Sequence, residues 1–147
     1  MKVGLLLLTH NDIGSQLLLV AKAVFGDTPS RIELLPVDHY DQPADVIHLA
    51  KQYVKVLDEG KGVLILTDMY GSTPSNIASE FSNQKNVKVV SGINLSMLLN
   101  VFNYPSLSLS SLTKKALDGG KQGIVDIKNE REKIKKLLVI LFLDNEK

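Results

Sequence analysis

Residues 3–10 read Val3-Gly4-Leu5-Leu6-Leu7-Leu8-Thr9-His10. The run from Val3 to Leu8 has no polar face, so it predicts a strand covered on both sides, as in a parallel sheet. It ends on a histidine and gives way to helical spacing at Ile13, Leu17, Val20, Ala21 and Val24, which stops at Gly26. Open α/β sheets place their chemistry at such strand-to-helix junctions. His10 is therefore the first candidate functional residue.

The same grammar repeats outward from this stretch. Apolar runs at Ile32–Val37, Gly62–Leu66 and Val87–Val90 predict three more strands. Ile47, Ala50, Val54 and Leu57 form a second helical stripe, ending at Gly60. Strands alternating with helices predict an α/β fold with an open, mainly parallel sheet flanked by helices. Beyond Val90, Leu95–Phe102 reads as a helix broken by Tyr104-Pro105, and Ser106–Leu117 as another, stopped by Gly119-Gly120. Gly123–Ile127 reads as one more short strand.

The tail from Lys128 differs. Asn129 and Glu132 have capping-box spacing, and Glu132 and Lys136 have the spacing of a helical ion pair. The run Leu137 to Leu143 is apolar all round. It is too short to span a bilayer, so it is expected to pack on the body or on a partner subunit. We divide the chain into a domain at 1–127 and a helical extension at 128–147.

Composition narrows the function classes. At 147 residues, the chain fits one domain with a substantial core. A net charge of +1, few aromatic residues and no tryptophan argue against nucleic-acid binding. The absence of cysteine removes thiol catalysis and thiolate metal sites, and suits a reducing cytoplasm. No secretion signal is read at the amino terminus, and the expected location is cytoplasmic. The phosphate-loop, dinucleotide and nucleophile-elbow patterns are absent.

Thr67-Asp68-Met69-Tyr70-Gly71 forms a second junction, with a carboxylate after an apolar run. In a sheet ordered 2-1-3-4, His10 and Asp68 would border one crevice, at the switch point where ligands bind. Periodicity does not fix that order. If the two meet, the carboxylate fixes the imidazole tautomer and stabilises the cation formed when the other nitrogen attacks. Neutral imidazole is a nucleophile near physiological pH, and phosphoryl transfer needs mainly positioning and anion-binding donors. Thr73-Pro74 reads as an N-cap and first helical turn beside Asp68, with Gly71 and Ser72 adding a flexible backbone and a hydroxyl. The structural alternatives are plain: a hydrogen-bonded strand-end histidine, and an aspartate that only shapes a turn. His48 falls on the polar face of its helix, and His39 lies in a polar loop before Pro43. His10 and Asp12 alone are a weak metal signal, and no metal or cofactor is expected.

At these residues the chain resembles the enzyme IIA domain of the mannose-type family (mannose/fructose/sorbose) of the bacterial phosphoenolpyruvate-dependent sugar phosphotransferase system. The resemblance covers about residues 1–127 and rests on three segments: the opening strand into Thr9-His10, Gly62 to Asn76, and Val89 to Leu98. It implies a phosphotransferase acting through a phosphohistidine. His10 would accept a phosphoryl group from the histidine-phosphorylated carrier protein and pass it to an enzyme IIB partner. Asp68 would orient the imidazole, and Thr9, Asn11, Gly71, Ser72 and Thr73 would border the phosphoryl group. It also implies the 2-1-3-4 sheet order and a homodimer that exchanges a final antiparallel strand, here Gly123–Ile127. Membrane contact would come only through the transporter complex.

The chain departs from the family pattern at Asn11, where glycine is usual, and at Gly71-Ser72, where two glycines are usual. Two alternatives keep His10: the phosphocarrier subunit of a dihydroxyacetone kinase, and a regulatory phosphoprotein without a transport role. A binding module that is never phosphorylated is the third.

Overall fold

The computed structural model describes residues 1–28 and 30–145, with side chains through Leu143. The elements are β1 (Gly4–His10), α1 (Ile13–Phe25), β2 (Ile32–Val37), α2 (Pro43–Leu57), β3 (Val63–Thr67), α3 (Thr73–Ser79), β4 (Val87–Ser91), α4 (Leu95–Phe102), α5 (Leu109–Gln122) and α6 (Ile127–Asn145). The four strands pair in the order β2-β1-β3-β4, all parallel. This is the expected open α/β sheet.

Connection handedness explains the layers. The chain steps from β1 to β2 in one direction, then back over β1 to β3 and on to β4. Right-handed crossovers then put α1 on one face and α2 and α3 on the other. Leu5 and Leu7 accordingly pack with Leu18 and Ala21 of α1, and with Leu98 and Phe102 of α4. Leu6 and Leu8 pack with Val46 and Ala50 of α2, and with Ile77 of α3. Each leucine of β1 is at most 1% exposed, and full burial of such a side chain contributes about 2 kcal/mol. The unbroken run therefore holds both layers at once. Pro36 sits in β2, an edge strand, where its missing N–H leaves no gap inside the sheet.

Three expectations need correction. The buried residues of α1 are Gly14, Leu18 and Ala21, whereas Ile13, Val20 and Val24 are exposed. The helix is turned by its first contact: a Cβ at Gly14 would lie 3.1 Å from Thr9 Oγ1 and 3.3 Å from Leu7 Cβ. A larger residue there would have to push those side chains back by a few tenths of an ångström.

The second correction concerns α5, which runs through Gly119-Gly120 to Gln122. A Cβ at Gly119 would lie 2.5 Å from Asn100 Cβ, and one at Gly120 would lie 2.8 Å from Met97 Cε. The glycines serve the approach of α4 and α5, and do not stop the helix.

The third concerns the tail. Gly123–Ile127 forms no strand within the chain: the sheet has four strands, Gly123 caps α5, and Ile127 already begins α6. A strand needs a ladder partner, and this segment finds none within the single chain. Asp126, not Asn129, holds the start of α6; its Oδ1 accepts from Lys128 N at 3.0 Å and Asn129 N at 3.4 Å. The helical ion pair is Lys133–Glu130 at 3.3 Å, in place of Glu132–Lys136. Among the described residues α6 buries no side chain, so its apolar run does not lie on the body. No described helix is long and apolar enough to cross a membrane.

Candidate functional site

Strand order determines the site. Because β1 and β3 are neighbours whose chains leave toward opposite faces, their carboxyl ends open on a common crevice. His10 is the last residue of β1, and Asp68 follows the last residue of β3. His10 Nδ1 lies 2.6 Å from Asp68 Oδ2, and the same oxygen accepts from the His10 backbone N–H at 3.2 Å. An ionised carboxylate has no hydrogen to give, so Nδ1 is the donor in this contact, and in the neutral ring Nε2 is then the nitrogen with the lone pair. The His10 side chain is 41% exposed and that of Asp68 is 10% exposed. The pair therefore has a buried anchor and an open end. Asp68 Oδ1 is buried without a protein donor, so all the hydrogen bonding of this carboxylate is directed at His10.

The loop after His10 is strained in a specific way. Asn11 has φ 41°, the left-handed region, and its N–H donates to Val37 O at 3.0 Å. Asparagine tolerates that region better than other residues with a Cβ, so it replaces a glycine there at little conformational cost. The second departure is also accommodated. Gly71 takes the positive φ of 82°, while Ser72 has an ordinary φ of −84°. Ser72 Oγ donates to Met69 O at 2.5 Å and closes the turn. Ser72 is the N-cap of α3 and Thr73 its first helical residue, so the helix starts one residue earlier than expected.

A cleft of about 450 Å³ opens at His10, lined by Asn11, Val37, Asp38, His39, Asp41, Gln42, Pro43 and Thr73. Of the expected site residues, Asn11 and Thr73 share this cleft with His10. Gly71 and Ser72 do not line it. Thr9 is 1% exposed, and its hydroxyl accepts from Gly14 N at 2.9 Å. It acts from beneath, fixing the start of α1 against the end of β1. His48 is exposed and bonds Gln52 at 3.3 Å, as its helix position implied.

Of the β2–α2 loop, sequence reasoning singled out only His39 and missed Asp38 and Asp41. Asp38, His39 and Asp41 reach the cleft because β2 lies beside β1 and ends at the same level, with His10 opposite Val37. The available signal was the parallel order itself, which gathers every βα loop at one end of the sheet. This end is acidic. Asp12, Asp38 and Asp41 surround Asn11, and no lysine or arginine lines either cavity there.

Comparisons with known proteins agree with the architecture. Residues 4–117 match the family model described as "PTS system fructose IIA component". The chain is 29% identical over 115 residues to the transcriptional regulatory protein LevR of Bacillus subtilis, covering 76% of this chain and 12% of that protein. It is 26% identical over 133 residues to the PTS system mannose-specific EIIAB component of Escherichia coli, covering 87% of this chain and 40% of the relative. The chain thus spans less than half the length of these curated relatives.

Among solved structures, the PTS IIA protein associated with the fucose utilization operon of Streptococcus pneumoniae superposes with a TM-score of 0.74. It is 25% identical, and the match covers 88% of this chain and 96% of that one. The mannose/sorbose-specific IIA subunit of Enterococcus faecalis gives a TM-score of 0.76 at 21% identity, covering 86% and 95%, and speaks to fold alone. A strand order of 2-1-3-4, a histidine and an aspartate joined across its switch point, and a family match over most of the chain lead to one conclusion: this chain belongs to the mannose-type IIA family of the sugar phosphotransferase system.

Proposed function

We propose that this chain is a phosphocarrier. His10 Nε2 accepts a phosphoryl group from the histidine-phosphorylated carrier protein, and the group passes on to an enzyme IIB partner. The observation that carries this reading is the 2.6 Å contact between His10 Nδ1 and Asp68 Oδ2, on a ring still 41% exposed. When Nε2 attacks phosphorus, the bond from phosphorus to the donor nitrogen breaks and its electron pair returns to the donor. The proton stays on Nδ1, and the adjacent carboxylate stabilises the positive ring. Asn11 and Thr73 supply neutral polar groups beside the incoming oxygens, while Thr9, Gly71 and Ser72 shape the loops that hold them. The work is done in the cytoplasm, with the membrane reached only through the transporter complex.

The same reading includes a homodimer in which residues 123–127 pair antiparallel with a partner's sheet. Ile124, Val125 and Ile127 are 77%, 50% and 69% exposed in the single chain, which suits a segment completed by a second copy. A second function is favoured by a specific observation, the similarity to LevR. In that reading the phosphorylation state of His10 is sensed by a regulatory partner and no sugar transport follows.

The test is incubation with phosphoenolpyruvate, enzyme I and the carrier protein. Label is expected on the wild type and absent from His10→Ala. Equal labelling of His10→Ala would exclude the site. Onward movement of label to an enzyme IIB protein separates transport from regulation.

A further inference from the structure

A phosphoryl group brought to His10 would enter an acidic cavity. Asp68 holds the ring, and Asp12, Asp38 and Asp41 stand around the opening. No lysine or arginine lines the cleft, and Asn11, Gln42 and Thr73 are neutral. His39 is the only other basic side chain that does line it.

Its position is prepared by the loop. Asp41 Oδ2 accepts from Asp38 N at 2.7 Å, Asp38 Oδ1 accepts from Tyr40 N at 3.2 Å, and Asp41 N donates to Asp38 O at 3.1 Å. These bonds close residues 38–41 into a compact turn with His39 on it. The Tyr40 ring meets the His39 ring edge-on at 5.3 Å and 78°. Among the described residues, no protein group hydrogen-bonds either ring nitrogen of His39, so its donor capacity is unspent. Whether neutral or protonated, an imidazole carries at least one N–H.

We propose that His39 is a phosphoryl-binding residue, donating a ring N–H to an oxygen of the phosphoryl group held on His10. This rests on the phosphocarrier reading above. No proton is transferred to or from His39, and it forms no covalent bond. The phosphorus–nitrogen bond is to His10 Nε2 alone. Loss of a phosphoryl group to water passes through a loose transition state, in which the terminal oxygens carry less charge than in the ground state. A donor on those oxygens therefore favours the loaded protein and slows its decay.

The test loads the whole chain chemically, with potassium phosphoramidate as the donor and ammonia as the leaving group, so that partner docking plays no part. Phosphorus-31 NMR then follows the phosphohistidine signal. His39→Ala is expected to shift that signal and to shorten the half-life of the loaded state about tenfold, the effect of one hydrogen bond to a charged group. His39→Gln keeps an N–H of similar reach and is expected to recover most of the lifetime. His39 is on an exposed loop, and circular dichroism confirms that each variant is folded. Decay of His39→Ala at the wild-type rate, with an unmoved signal, overturns this proposal and leaves the phosphocarrier reading standing. A phosphohistidine spectrum of His10→Ala identical to that of the wild type, or no label on the wild type, overturns both.

Discussion

Thr9 Oγ1 and Gly14 N are 2.9 Å apart, and this bond ties the last turn of one element to the first of the next. It lies directly beneath the reactive ring, because Thr9 precedes His10 in a strand that is 1% exposed at that position. A Cβ at Gly14 would have to push the Thr9 and Leu7 side chains back by a few tenths of an ångström.

Thr9→Val tests the value of this tie. Valine matches the shape of threonine but leaves the Gly14 N–H unpaired in a buried setting, a loss of about 1–3 kcal/mol. Denaturant unfolding should show a lower midpoint with an unchanged slope. Phosphorylation of His10 should slow as the start of α1 and the Asn11 turn loosen. An unchanged midpoint would show that the hydroxyl contributes nothing.

Asp68→Asn separates charge from shape. An amide can still accept from Nδ1–H, but it no longer offsets a positive ring, and in its flipped orientation it stabilises the wrong tautomer. Phosphoryl acceptance should fall on the order of 10²-fold or more. Thermal stability should change little, since the side chain makes its bonds to His10 alone. Wild-type rates in this variant would remove the role assigned to Asp68.

Asp58 gives a pH prediction far from the site. Asn86 Nδ2 donates to its Oδ2 at 2.8 Å, and the N–H groups of Gly60 and Gly62 donate to its Oδ1 at 2.9 Å. The Asn86 bond, followed by those from Gly60 and Gly62, holds its carboxyl below the usual carboxylate value. A folded-state value below the unfolded one means that the stabilisation is fully present above the unfolded pKa. It is lost as pH falls through the folded pKa. The group is partly exposed, so the effect is screened and modest. Asp58→Ala should lower the melting temperature at pH 7, and the gap from wild type should close as pH falls through the lowered folded-state pKa. A gap that persists in acid would assign the effect to lost packing.

Much of this was legible in the sequence because it depends on period. The run at Val3–Leu8 is apolar without alternation, so its strand character and double burial followed directly; Ile32–Val37 is the strand its run implied, but as an edge strand it buries only Leu35 and Val37. Leu95–Phe102 is the helix its spacing implied. The readings that failed depended on neighbours. Gly119 and Gly120 look like a stop signal until Asn100 and Met97 are seen against them. Ile13, Val20 and Val24 look like a core stripe until the Thr9–Gly14 contact sets the rotation of α1. At the site, His10 and Asp68 were visible as junction residues, but their meeting required the sheet order, which resemblance supplied and periodicity did not. His39 reaches the cleft through the pairing of β2 with β1, a fact no local window contains.

The backbone of His10 is fastened at three points: its own N–H to Asp68, its register opposite Val37, and the following Asn11 N–H to Val37 O. The post on which the ring stands is held from three sides. On the phosphocarrier reading proposed above, cargo left there is neither carried inward nor swung across on an arm; a visitor must come to fetch it. Throughput at such a fixed berth is governed by how often other molecules arrive and how squarely they land, and hence by their concentration.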